Sequence, residues 1–185
     1  MSGHNKWSQI QRQKGVADAA KSKAFSMFSR LITIESKKAG GNMSSPSLQA
    51  VISRAKAINM PKDSIERAIA KGASKDAGEM DQVAYEFYGP GGVAIIASAL
   101  TDNRNRTTQE IKHLISKNGF ELGTPGSAAW AFTKTNDGYS PNEPLMAVTG
   151  DDEEKLGQLL SALDAHEDVQ EIYTNASGYE TSRDE

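Results

Sequence analysis

Apolar residues recur at helical spacing through residues 16–72 and at strand spacing through much of the remaining chain. From about Val16 to Ala39, Phe25, Phe28 and Ile32 supply the stripe of an amphipathic helix, and Gly40 and Gly41 end it because glycine tolerates a left-handed cap. A second helix has Ser45 as N-cap and Pro46 at its first position, followed by Leu48, Val51, Ile52, Ala55 and Ile58 at intervals of three and four. A third starts near Pro61, turns Ile65, Ala68 and Ile69 inward, and ends at Gly72. Residues 1–15 show no such period and read as a mobile arm.

Beyond a small, polar stretch from Ser74 to Asp81, the period changes to that of strands. Ala84–Tyr88 and Val93–Leu100 flank GPGG at 89–92 as a hairpin, and the second strand is apolar on both faces, as a central strand is. A helix over Thr107–Asn118 opens on a capping box of Thr107 with Glu110 and stops at Gly119. Then come a strand at Ala128–Thr133, a ten-residue loop, a short strand at Leu145–Val148, a helix over Asp152–Ala165 and a strand at Val169–Asn175. The tail from Ala176 is expected to fray. The expected class is α+β: a three-helix domain over 1–78, then a ferredoxin-like βαββαβ domain over 79–185 with an extra N-terminal hairpin strand.

Charge sharpens this division. Residues 1–78 hold 14 Lys and Arg against 5 Asp and Glu, and the remainder holds 7 against 19, so a net charge of −3 conceals halves of +9 and −12. Because charges beyond about 8 Å are screened at physiological salt, the basic half can bind a polyanion despite the acidic total. Lys6, Arg12, Lys14, Lys21, Lys23, Arg30, Lys37 and Lys38 face only Asp18 and Glu35 in sequence, whereas an ordinary solvated face mixes both signs. These cations are the candidate phosphate ligands; about six contacts to duplex DNA give a salt slope of about −5. Trp7 either stacks on a base or pins the arm to the helices.

A second candidate patch is Arg104 and Arg106 in DNRNRT, between a strand and a helix N-terminus. They either bind phosphate or pair with local acids such as Glu86 or Glu110; spacing does not separate the two. GPGG lacks the Lys-Ser/Thr of a phosphate loop and reads as a turn. Trp130 with Phe132, and Tyr85 with Phe87, share strand faces that core packing explains better than base stacking. Cysteine is absent, and His4, His113 and His166 have no partner at ligand spacing, so neither metal, cofactor nor catalytic site is expected. With no apolar run of about 20 residues and a polar, basic start, a cytoplasmic protein without membrane contact is expected.

Three segments resemble the YebC/PmpR family, which includes the mitochondrial translational activator of cytochrome oxidase. They are GHNKW with IQRQKGVADAAKSKAFSMFSRLI, then AKAINMPKDSIERAIAKG, then YGPGGVAII through DNRNRTTQEIKHLISKNGFELGTPGSAAWAF. The resemblance implies a helical first domain followed by α/β domains, no known catalytic activity, and regulation of gene expression. The partner it implies is a nucleic acid, either DNA in transcription or rRNA within the ribosome, where members relieve translational stalls; docking of a basic protein on the acidic half is a third reading. The likeness ends after Lys134, where members carry a further α/β domain, so this chain is expected to lack it and to close its host domain without it.

Overall fold

The computed structural model describes residues 17–74, 80–136 and 138–179. They form two compact units, 17–81 and 82–179.

The first unit consists of α1 (Ala17–Lys38), α2 (Pro46–Ala57) and α3 (Lys62–Ala73). Phe28 and Ile32 of α1, Leu48, Ile52 and Ala55 of α2, Met60, and Ile65 and Ala68 of α3 fill its core. Ser45 occupies the N-cap position of α2 with Pro46 following, but its hydroxyl meets Ser47 rather than a helix amide. Gly72 does not end α3, which runs on to Ala73. It is there because α1 passes too close for a side chain: a Cβ on Gly72 would lie 2.2 Å from the Thr33 carbonyl oxygen and 2.7 Å from the Ser36 Cβ. The two helices are also joined by polar contacts at this crossing. The Thr33 hydroxyl lies 3.2 Å from the carbonyl of Ala68, and that of Ser36 donates to Ile69 at 2.8 Å.

The second unit is built on a three-stranded sheet in the order β1-β2-β5, with β1 at Asp81–Tyr88, β2 at Ala94–Thr101 and β5 at Val169–Thr174. β1 and β2 are joined through 89–93, where the Gly89 amide donates to the Val93 carbonyl (2.8 Å), and β2 pairs with β5 antiparallel. All eight residues of β2 are buried, because alternate side chains enter two different cores. Ile95, Ala97 and Ala99 face α4 (Arg104–Lys117) and α5 (Asp151–Asp164) through Ile111, Ile115, Leu156, Leu159, Leu160 and Leu163. Ala94 and Ile96 face the opposite way, onto Ala128, Ala131, Phe132 and Tyr173.

The α+β class and the βαββαβ order from β2 onward hold, but the four strands do not form one sheet. β3 (Phe132–Thr135) and β4 (Gly138–Pro141) make a separate hairpin that covers the second face of β2 through Phe132 and Tyr139. Its Tyr139 ring meets Phe132 and Tyr173 edge-on at 6.4 and 5.3 Å. Residues 129–131, expected to be strand, form a single 3-10 turn, and β4 occupies what was expected to be loop. The expected strand at Leu145–Val148 is reduced to one bridge, Met146 with Ala176. α4 begins three residues before Thr107: Asn103 is its cap, its side chain accepting from the Arg106 amide at 3.1 Å, so the Thr107–Glu110 box does not form. Ala176 and Tyr179 are buried rather than frayed, and residues 180–185 lie outside the described residues.

Candidate nucleic-acid interface

Ten Lys and Arg against four Asp and Glu lie within residues 17–74. On α1 they are not scattered. Lys23, Arg30 and Lys37 are seven residues apart, and two helical turns bring each nearly above the last, with about 10.5 Å of rise between them. The row lies about half a turn from Phe28 and Ile32, so core packing and cation display use opposite sides of one helix. Lys37 is exposed, and Lys23 and Arg30 are half-buried.

The other candidates on α1 are engaged differently. Lys38 donates to Glu35 at 2.7 Å. Burial pushes the Glu35 carboxyl up, but hydrogen bonds to Lys38 and Ser47 and the charge of Lys38 outweigh this and hold it below the ordinary glutamate value. Lys21 sits 5.7 Å from the Phe25 ring centroid, a cation–π contact that keeps its charge over the helix. Arg54 of α2, which charge-run reasoning passed over, does the same on Phe28 at 5.6 Å. Lys6, Trp7, Arg12 and Lys14 lie outside the described residues.

The second patch is resolved into two unlike residues. Arg106 reaches Asp168 at 3.0 Å and Asp102 at 3.2 Å, with Glu110 3.8 Å away. The hydrogen bond and charge of Asp168 raise its already high pKa further, so it is held as a cation among acids. Asp168 is buried and also accepts from the Thr107 hydroxyl at 2.6 Å. Its amide donates to Nδ1 of His166, which leaves Nε2 to carry the proton of the neutral ring and donate to Glu110 at 3.1 Å. Glu110, His166 and Asp168 present ligand atoms within 4.8 Å of one another, yet the Arg106 guanidinium already supplies positive charge to both carboxylates. DNRNRT is therefore a hub that ties the start of α4 to the turn before β5. Arg104 is exposed and makes no ion pair among the described residues.

Glu86, offered by spacing as a partner for these arginines, does something else. Its carboxylate accepts from the amides of Gly126, Ala128 and Ala129 at 2.8–2.9 Å and shapes the loop before β3. Tyr85 and Phe87 pack in the core as expected, but Trp130 is 68 % exposed and shares no strand face with the buried Phe132. A groove of about 440 Å³ beside α5 is lined by Glu153, Glu154, Gln158 and Tyr179 without a histidine, lysine or cysteine. No helix among the described residues is long and apolar enough to cross a membrane.

The TACO1/YebC protein N-terminal domain matches residues 5–75, and the TACO1/YebC second and third domain matches residues 80–138. The chain belongs to the TACO1/YebC family. A probable transcriptional regulatory protein of Fervidobacterium nodosum is 36% identical over 235 positions, covering 95% of this chain and 93% of its own. Another, from Desulforapulum autotrophicum, is 47% identical over 136, covering 72% and 55%. The crystal structure of a conserved hypothetical protein from Aquifex aeolicus superposes with a TM-score of 0.79 at 27% identity, covering 93% of this chain and 96% of that one. An alignment of 235 positions exceeds the 185 residues of this TACO1/YebC chain, so its relative carries residues that face gaps here. The match to the second and third domains stops at residue 138, the first residue of β4.

Proposed function

We propose that this chain is a non-enzymatic regulator of gene expression that binds nucleic acid through unit 17–81, acting on DNA as a transcriptional regulator. The observation that carries this is the Lys23–Arg30–Lys37 row on a unit whose residues 17–74 hold ten cations against four acids. Three cations in line suit a phosphate backbone, and the relatives' description as probable transcriptional regulatory proteins supports the regulatory role. α1 contains no Asn or Gln and a single Arg, so it offers little to read base edges. That feature favours a second reading, in which the same row grips rRNA by backbone and shape and the protein acts on translation.

Binding to duplex DNA measured against salt tests the grip. Replacing Lys23, Arg30 and Lys37 together by Ala should reduce the magnitude of the slope of log affinity against log salt by about 2.7, from three phosphates at about 0.9 each. An unchanged slope rejects the row. A sucrose-gradient profile beside a crosslinking map separates the targets. DNA peaks without ribosomal comigration are expected; ribosomal enrichment without DNA peaks replaces transcription by translation.

A further inference from the structure

The second unit displays an aromatic pair that its own fold does not use. Along β1 the residues alternate, with Val83, Tyr85 and Phe87 in the core and Glu86 and Tyr88 on the other face. Those last two residues hold the loop 123–130. Glu86 takes three of its amides, the Gly123 amide donates to the Glu86 carbonyl at 2.8 Å, and the Tyr88 hydroxyl donates to the Ser127 carbonyl at 2.5 Å. The Trp130 Nε1–H then donates to the Tyr88 hydroxyl at 2.6 Å. From the far side, Asn142 donates its side-chain amide to the Trp130 carbonyl and its backbone amide to that of Ala131. Trp130 is thus held at the ring and at the backbone while 68 % exposed, beside a Tyr88 that is 39 % exposed.

This arrangement restricts what the pair can recognise. Both polar ends are committed, so Trp130 has no N–H left to donate to a ligand carbonyl, as a groove for extended proline-rich peptides requires. What remains is π surface, which takes a cation or another ring. Charge favours the cation: residues 82–179 carry 14 Asp and Glu against 6 Lys and Arg, and the exposed Glu143 directly follows the Asn142 that holds the Trp130 carbonyl. We infer that the Trp130–Tyr88 face docks a basic peptide segment of a partner protein, with an arginine guanidinium stacked on the Trp130 indole. The two units then bind partners of opposite charge.

The probe is a fluorescein-labelled twelve-residue peptide of alternating Arg and Gly, titrated with the full chain at physiological ionic strength and followed by anisotropy. Its counterpart with citrulline for arginine keeps the planar shape without the charge, and a labelled dodecauridine tests the alternative of base stacking. Trp130→Ala should weaken the arginine peptide about tenfold, Trp130→Phe about threefold, and the citrulline peptide should not bind. Dodecauridine binding should be the same with and without Trp130. Should Trp130→Ala melt early, Trp130→Phe alone carries the test. The inference is overturned if the arginine peptide binds the substituted chains as it binds the original, or if citrulline serves as well as arginine. It is overturned equally if dodecauridine, and not the peptide, loses affinity with Trp130.

Discussion

The two units treat the same kind of residue in opposite ways. In unit 17–81 Lys23, Arg30 and Lys37 stand in a row on the side of α1 opposite Phe28 and Ile32, and Glu35 pairs with Lys38 at the end of the helix. In unit 82–179 Arg106 is surrounded by Asp102, Glu110 and Asp168 and serves to fasten α4 to the turn before β5. An arginine in a sequence is therefore not yet a binding residue. For Arg106 the fold brings acids to it, and the decisive one is 62 residues away in the chain.

The comparison breaks most sharply at Gly72. A methyl group there meets the Thr33 backbone at 2.2 Å, and helix backbone does not yield as a side chain does. Gly72→Ala should force α1 from α3, strain the contacts of Thr33 and Ser36, and cost about 3 kcal/mol. Calorimetry together with hydrogen exchange should show unit 17–81 losing protection while unit 82–179 keeps it. Loss spread evenly over both would mean that they do not fold as separate bodies. The converse change is Asp168→Ala, which removes the acceptor of Thr107 and the buried partner of Arg106. Hydrogen bonds to charged groups are worth about 1.5–3 kcal/mol, and Arg106 is partly exposed, so about 2 kcal/mol is expected, confined to unit 82–179.

Most of the helices and the central place of β2 were legible because their signals are local. Apolar spacing marks Phe28, Ile32, Leu48 and Ile52, and eight apolar or small residues without a polar alternation mark a strand covered on both sides. What was not legible depends on partners distant in sequence. Gly72 looks like a cap until α1 lies across it. Thr107 looks like a cap until its hydroxyl finds Asp168. β3 and β4 were blurred because their cover for β2 rests on Phe132 and Tyr139 alone, too few apolar positions to set a period. The placement of the candidate residues was legible in the same degree. The row on α1 follows from spacing, whereas the exposure of Trp130 follows from Glu86 and Tyr88 holding its loop, which no local pattern announces.

The charge contrast gives the next test. Replacing Lys112, Lys117 and Lys155 of the acidic unit by Ala removes as many cations as the α1 triple substitution, but should leave affinity for duplex DNA within about twofold, since none belongs to the row. An equal loss from both triples would reduce the grip to net charge, and position on α1 would cease to matter.

The smallest effect is expected at Glu35, the acid beside Lys38 at the end of that helix. Its carboxyl is held below the ordinary glutamate value, so the folded unit binds this proton less readily than the unfolded chain. The resulting stability is fully present above the unfolded pKa and is lost as pH falls through the folded one. Acid titration of unit 17–81 should therefore show a loss that Glu35→Gln removes, under about 1 kcal/mol because Lys38 is well exposed. Glu35→Gln should also leave the salt slope of DNA binding unchanged while raising affinity slightly, because it releases Lys38 from its pair and removes a negative charge beside Lys37. A steeper slope would mean that Lys38 joins the phosphate contacts once it is free, extending the row to the end of α1.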